Sequence, residues 1–389
     1  MSRFFSVFLI GVVAVAMTTH GRAQAPASSG GNMLVYIGTY TSSGKSKGIY
    51  VSKLDTQAGT LSPVELAAEV ASPSFLAVHP TEKFLYAVNE TNTFTDETGG
   101  VSAFAIDRAT GKLQALGGQS SEGAGPAHLS VDKSGRNVLV ANYGGGSVAV
   151  LPINTKDGKL KSGSSSVQHK GHSVNPQRQK EPHAHSITTD PSGRFVYVAD
   201  LGLDWIVIYQ FDERKGLLTL NEPPNATVEP GSGPRHFSVH PSGRYGYVIN
   251  ELNCTVTVFT RDPNSGGLKV LQTVSALPPK VQMQPEFSGA ELEVHPSGRY
   301  LYTSIRGHDS IALFTIDQNT GRLTYVDSTP TQGNTPRGFG IDPDGKYLLA
   351  ANQNSDSVVV FRIDSQTGKL TPTGSKIDVA QPVCIKFVR

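Results

Sequence analysis

A segment of about 18 residues recurs along this 389-residue chain, and no other feature limits its fold so strongly. Copies begin at Pro73, Pro126, His183, Pro234, Gly289 and Pro336. In each, a short apolar stretch leads into an Asp or His, a Pro/Gly turn such as HPSGR, and a β-branched and aromatic run. The Asp or His before the turn falls at 79, 132, 190, 240, 295 and 342, a period near fifty with the variation confined to connections. Self-similarity at such a period means that one small unit, unable to bury its apolar side alone, stacks on copies of itself.

Each unit reads as four strands. The first precedes the turn, as in Phe237–Val239, and the second follows it, as in Tyr245–Ile249. Third strands are predicted at Ser147–Leu151, Trp205–Phe211, Thr255–Thr260, Ser310–Ile316 and Ser357–Ile363, and outer strands after the TGKL-type turns at Gly111, Gly158, Gly321 and Gly368. Charged residues make up 17%, below the usual value of about 25%, while Gly and Pro together number 65. That balance suits short strands joined by tight turns, and no stretch keeps a helical period. Four-stranded units around an axis make a propeller. An open solenoid would need polar caps at both ends, but Pro382–Val388 is one more apolar first strand. Met33–Tyr40, Gly48–Leu54 and the strand after Gly59 are second to fourth strands that lack a first. Joined, the two ends complete a seventh unit. The predicted fold class is all-β: a seven-bladed β-propeller of four antiparallel strands per blade, closed by N- and C-terminal strands in one blade, over residues 33–389.

Residues 1–25 carry Arg3, an apolar stretch of 14 residues from Phe4 to Met17, and small residues around Ala23 and Ala25. This is the pattern of a secretory signal peptide, cleaved near Ala23 or Ala25, and the stretch is short for a membrane span. A retained N-terminal anchor is the alternative. Residues 26–32 read as a flexible Ser/Gly leader. The expected compartment is periplasmic or extracellular, with no membrane span after cleavage.

A net charge of +2 supplies no field for nucleic acid, and no basic stripe with interleaved aromatics occurs. The two cysteines, Cys254 and Cys384, have no ligand-like spacing, so zinc ribbons, Fe–S sites and disulfide scaffolds are not expected. They read as buried small residues that do not bond to each other. Neither a metal nor a cofactor is called for.

In a propeller blade the first strand lies nearest the axis, and its start meets the end of the second strand at one rim. Five residues before each turn residue lie Ser74, Ala127, His185, Arg235, Ala290 and Arg337. Second strands end at Tyr40, Glu90, Tyr143, Leu201, Glu251, Arg306 and Gln353. Propeller rims use polar side chains to satisfy strand ends, so any one of these could be structural. Three arginines around one opening favour an anionic ligand, and His185 and Glu251 have the chemistry for proton transfer. His183 and His185, two apart on a strand start, are expected to face the same way; a metal pair is conceivable there, but a hydrogen-bonding or acid–base role is the preferred reading. Residues 161–182 read as a long polar loop over the opening. The His of the HPSGR turns, His240 and His295, reads as structural.

The segments Tyr36–Val51, Gly125–Val148, Pro182–Asp204, Gly233–Leu252 and Ser304–Phe314 resemble the lactonase family of seven-bladed propellers, which includes the propeller-type 6-phosphogluconolactonases and carboxy-cis,cis-muconate cyclases. The resemblance spans about Met33 to Arg389. It implies that His185, Arg235, Glu251 and Arg306 act together, since the cyclase branch carries a His, an Arg, a Glu and an Arg at these offsets. Ile305 stands where the common pattern has Asn before that last Arg. The leading expectation is a carboxylic-ester hydrolase that opens an anionic sugar lactone, with His185, Glu251 and Arg306 catalytic. Arg306 would stabilise the oxyanion, and His185 or Glu251 would act as base. Arg235, Arg337, Glu90, Tyr143 and His183 would bind substrate, Arg235 and Arg337 holding the anionic group. A muconate-type cycloisomerase and a non-catalytic propeller that binds an envelope partner or glycan are the alternatives. The ligand is a small sugar lactone or sugar acid, and the protein is expected to be monomeric.

Overall fold

The computed structural model describes residues 1–2, 31–95 and 97–389. The segment expected to be a signal peptide and most of the leader lie outside the described residues. Residues Gly31–Arg389 form one compact unit.

The described residues build seven antiparallel sheets. Blade one joins Pro382–Val388 to Asn32–Thr39 and Gly48–Asp55. Blades two to seven each follow chain order from an inner first strand: Leu76–Val78, Pro126–Val131, Ala184–Thr189, Pro234–Val239, Ser288–Val294 and Pro336–Ile341. Each of these seven inner strands touches the next, and the seventh touches the first, so the ring is closed. Among the described residues the only helical element is a 3-10 turn at Gln353–Ser355.

Outer strands depart from the repeat. In blade one the fourth strand is broken into Thr60–Leu61 and Glu65–Glu69, both paired with Gly48–Asp55. Pro63, which has no N–H to donate, lies at the break. In blade three Leu160 makes one bridge to Ile153, and the outer strand is Ser165–Gln168. The polar stretch 161–182 is therefore part strand, and only residues 169–183 connect blade three to blade four.

Five of the seven second strands carry a side chain that stitches the blade to the next. Buried Tyr36, Tyr86, Tyr197, Tyr247 and Tyr302 donate from their hydroxyls to the carbonyls of Gly111, Gly158, Gly266, Gly321 and Gly368 at 2.6–3.1 Å. A buried phenol without a partner would cost about 1–3 kcal/mol, so this contact explains why a polar aromatic occupies a core position. At the opposite end of the inner strands, the turn histidines do more than close their own turn. His79, His240 and His295 bond through Nδ1 to Thr81, Ser242 and Ser297, and place Nε2 at 2.9 Å from the Gly135, Gly298 and Gly345 carbonyls of the following blade.

Most inner strands share one irregularity. In six of the seven blades the register slips where the inner strand meets its second strand near the rim, leaving an extra residue: Val383, Ala127, His185, Arg235 and Arg337 in five blades, and the pair Ala290–Glu291 in blade six. A β-bulge re-aims the side chain it carries and breaks the alternation of faces. Every rim position found by counting back from the turn in these blades is thus a bulge residue.

Candidate active site

Glu251 follows the second strand of blade five and is buried. Its Oε2 accepts from Nε of Arg235 at 3.1 Å and lies 3.0 Å from Nη2 of Arg306, while its Oε1 accepts from Nη2 of Arg178 at 2.6 Å. Burial pushes the Glu251 carboxyl up, but Arg306, Arg235 and Arg178 outweigh it and hold the group at about 2. The bulge at Arg235 points the guanidinium inward, where its side chain is 3% exposed. There burial, Arg337 and Arg306 bring its pKa down to about 9, so it stays charged at neutral pH under repulsion from its neighbours.

Arg235 also donates from Nη1 to the Ala290 carbonyl at 2.7 Å and meets Nε2 of His236 at 3.2 Å. Because a guanidinium only donates, the His236 proton sits on Nδ1, which faces Oε1 of Glu291 at 2.6 Å. A strict alternation would send residues 235 and 236 to opposite faces; the bulge lets both turn toward the axis. Counting along the strand does not find His236 and Glu291 for that reason. Their signal is local: they occupy the position one closer to the turn than the rim residue, where His128 also lies.

His185 stacks edge-on against His236 and Tyr143, with ring centroids 5.3 and 5.1 Å away. Its Nδ1 is buried and has no hydrogen-bond partner. Burial, then Arg235, His236 and Arg337, hold its pKa well below the usual histidine value, so the ring is neutral at pH 7. His183 precedes the strand, stacks flat on the same Tyr143 ring at 4.6 Å, and engages the Tyr143 carbonyl through Nδ1 at 3.0 Å.

On the far side of the opening, Glu90 accepts from the Tyr40 hydroxyl at 2.9 Å and from Ser74. The Arg337 guanidinium lies over the Tyr40 ring at 5.3 Å. Arg337, Arg235, Tyr40, Ser74, Glu90 and His236 line a narrow cavity. A wider cleft beside it is lined by Arg178, Glu251, Arg306, Asn175, Gln284 and Ser288. The rim residues therefore converge on one mouth, divided into two compartments by the Arg235–Glu251 pair. Arg178, on the connection between blades three and four, escapes the repeat count because that connection has no counterpart in other blades.

Four guanidinium groups meet three carboxylates here, those of Glu90, Glu251 and Glu291, the last engaged by His236, so the mouth has a surplus of positive charge in a site largely shielded from water. Such a site suits an anion and a developing oxyanion. Among the described residues, no group of three or more His, Cys, Asp or Glu side chains is placed to hold a metal ion. Cys254 and Cys384 are both buried and free.

Residues 34–387 match the family described as "Lactonase, 7-bladed beta-propeller". The chain is 38% identical over 353 residues to a 6-phosphogluconolactonase of Bacillus subtilis, covering 91% of this chain and 97% of that one. It is 34% identical over 311 residues to a 6-phosphogluconolactonase of Formosa agariphila, covering 79% of this chain and 86% of that one. The solved structure of a periplasmic gluconolactonase from Pseudomonas aeruginosa superposes with a TM-score of 0.85 at 32% identity, covering 92% of this chain and 99% of that one.

Proposed function

The chain belongs to the family of seven-bladed β-propeller lactonases, and on that premise we propose that it is a lactone hydrolase. Its substrate is an anionic sugar lactone, 6-phosphogluconolactone or a related aldonolactone, opened by water at the channel mouth. The observation that carries this reading is the surplus of guanidinium charge around Glu251 beside a neutral histidine with an unpartnered nitrogen.

His185 is the general base. It is already neutral at pH 7, and the groups that depress its basicity include Arg235 and Arg337. A substrate anion or oxyanion that neutralises those arginines raises the basicity of His185 at the moment it is needed. Water attacks the lactone carbonyl and gives its proton to His185. The tetrahedral oxyanion then collapses, the ring C–O bond breaks, and the departing alkoxide takes the proton back, leaving a hydroxy acid. Arg235 and Arg337 lie deep, beside His185, and stabilise the oxyanion. Arg306 is nearer the opening, 14% exposed against 3% for Arg235, and takes the anionic substituent. Glu251 is too acidic to serve as base in the free site; it holds the arginines in place. Tyr143 and His183 form a stacked wall beside His185, and Glu90 orients Tyr40 under Arg337.

The test is hydrolysis of 6-phosphoglucono-δ-lactone and glucono-δ-lactone by purified protein, with acid release followed against the spontaneous rate. Acceleration of either supports the reading, and rates at background for both overturn it. We also place the protein outside the cytoplasm, periplasmic or secreted, on the leader sequence Arg3 to Ala25 and the likeness to a periplasmic protein. Among the described residues no helix is long and apolar enough to cross a membrane. One chain suffices, because all the groups assigned come from a single ring.

A further inference from the structure

Of the three guanidinium groups on Glu251, Arg178 differs in origin and exposure. It comes from a connection, not from a blade, and its side chain is 40% exposed, against 3% and 14% for Arg235 and Arg306. The connection is nonetheless firmly built. At its start His169 bonds Asp200 through Nδ1 at 2.6 Å and Tyr209 through Nε2 at 2.9 Å. Ser173 donates to Asp204 at 2.6 Å, and buried Gln179 donates to the Leu201 carbonyl at 2.9 Å. The Asn175 side chain accepts from the backbone N–H groups of Gln177 and Arg178 at 3.0 and 3.1 Å, which fixes the turn that carries Arg178. The guanidinium itself bridges Oε1 of Glu251 at 2.6 Å and the Tyr143 hydroxyl at 3.2 Å.

Arg178 is thus a fixed cation at the outer lip of the wider cleft, facing Arg306 across Glu251, with Asn175, Gln284 and Ser288 as neutral polar neighbours. The cleft holds two cations and one carboxylate whose Oε2 is already taken by two arginines.

We propose that this cleft is a subsite for the charged substituent of the lactone, with Arg178 as the residue that makes the enzyme prefer substrates bearing an oxyanion over uncharged ones. A phosphate or carboxylate seated between Arg178 and Arg306 exchanges places with Oε1 of Glu251 as the Arg178 partner. A planar guanidinium pairs bidentately with either group, whereas an uncharged hydroxymethyl offers nothing to replace the carboxylate. As a substrate subsite this rests on the lactonase reading.

The experiment compares wild type with Arg178→Ala and Arg178→Lys on 6-phosphoglucono-δ-lactone, glucaro-lactone, which carries a free carboxylate, and uncharged glucono-δ-lactone. The ratio of kcat/KM for the phosphorylated over the uncharged lactone falls about tenfold or more in Arg178→Ala, the scale of one charge-assisted contact, and recovers in part in Arg178→Lys. A glucaro-lactone ratio that falls in step shows that charge is what is read; one that does not restricts the subsite to phosphate. Unchanged ratios, or equal losses on all three lactones, overturn the proposal. Titration of inorganic phosphate into wild type and Arg178→Ala by calorimetry needs no turnover: weaker binding in the variant is expected, and equal or absent binding in both overturns the subsite. A wild-type protein that opens none of the lactones yet binds phosphate through Arg178 defeats the lactonase reading and leaves the anion site standing.

Discussion

The two ends of the central channel are built from the same strands and obey different rules. At the turn end, three blades use the same histidine in the same way, each Nε2 meeting the carbonyl of a glycine in the next blade at 2.9 Å. Asp132 and Asp342 instead fold the carboxylate onto their own turn, accepting two and three backbone N–H groups, and Asp190 does the same while also pairing with Arg261 of the following blade. Every such group is satisfied. At the mouth, the bulge position carries His, Arg, Arg, Ala or Val according to blade, and the charges do not cancel. Repetition marks where the strands hold one another, and divergence at a repeated position marks where a ligand is required to complete the balance.

Substitutions at the two ends should accordingly separate activity from stability. The largest effect is expected for His185→Gln, which should cut kcat by about 10²- to 10⁴-fold, the range for a general base; steady-state rates within about fivefold of wild type would remove His185 from the mechanism. Arg235→Ala should come next, with about 10²- to 10³-fold lost from kcat, as for an oxyanion donor, and a circular-dichroism melt distinguishes that loss from unfolding. The acid limb of kcat/KM should lie below pH 6.5, because His185 remains neutral until then. Arg337→Gln removes one of the charges that hold its pKa down and should move the limb to higher pH; a limb that stays put would separate Arg337 from the base. Glu251 links the mouth to stability. Its folded pKa of about 2 lies below the unfolded value of 4.5, so its contribution is complete above pH 4.5 and fades as pH falls toward 2. In Glu251→Gln that part of the acid dependence should vanish from denaturant titrations.

Smaller effects belong to the turn end and the blade seams. His295→Phe leaves the Gly345 carbonyl without its partner, and should lower stability by about 1–3 kcal/mol while kcat stays within about twofold. Tyr302→Phe removes a single hydroxyl bond to Gly368 and should cost about 0.5–1.5 kcal/mol, again visible in unfolding and not in turnover. If either variant loses activity more than stability, the division between the two ends fails.

Much of the ring is legible in the sequence, because a period-two pattern between fixed turns specifies inner and second strands closely. Counting back from the turn leads to Arg235 and Arg337, which line the narrow cavity, and to His185, which packs on Tyr143 and His236, since the count is insensitive to how the strand is paired. Facing direction is not legible. A bulge has no residue signature here, as His, Arg, Ala and Val all occupy it, so His236 and Glu291 stay hidden one position away. Arg178 lies in a connection with no repeat to align it. The broken outer strand at Pro63 and the late outer strand at Ser165–Gln168 are blurred because outer strands pack on one side only and tolerate polar residues freely.

The pairing of Pro382–Val388 with Asn32–Thr39 has a consequence for engineering. Two strands about 350 positions apart in sequence are adjacent in one sheet, so the order in which the blades are translated is incidental to the ring they form. A short linker across that junction and a new opening at another exposed turn should yield a circular permutant with the same mouth. The place where the circle is cut is then a free choice, available for inserting a sensor or a second domain away from the chemistry.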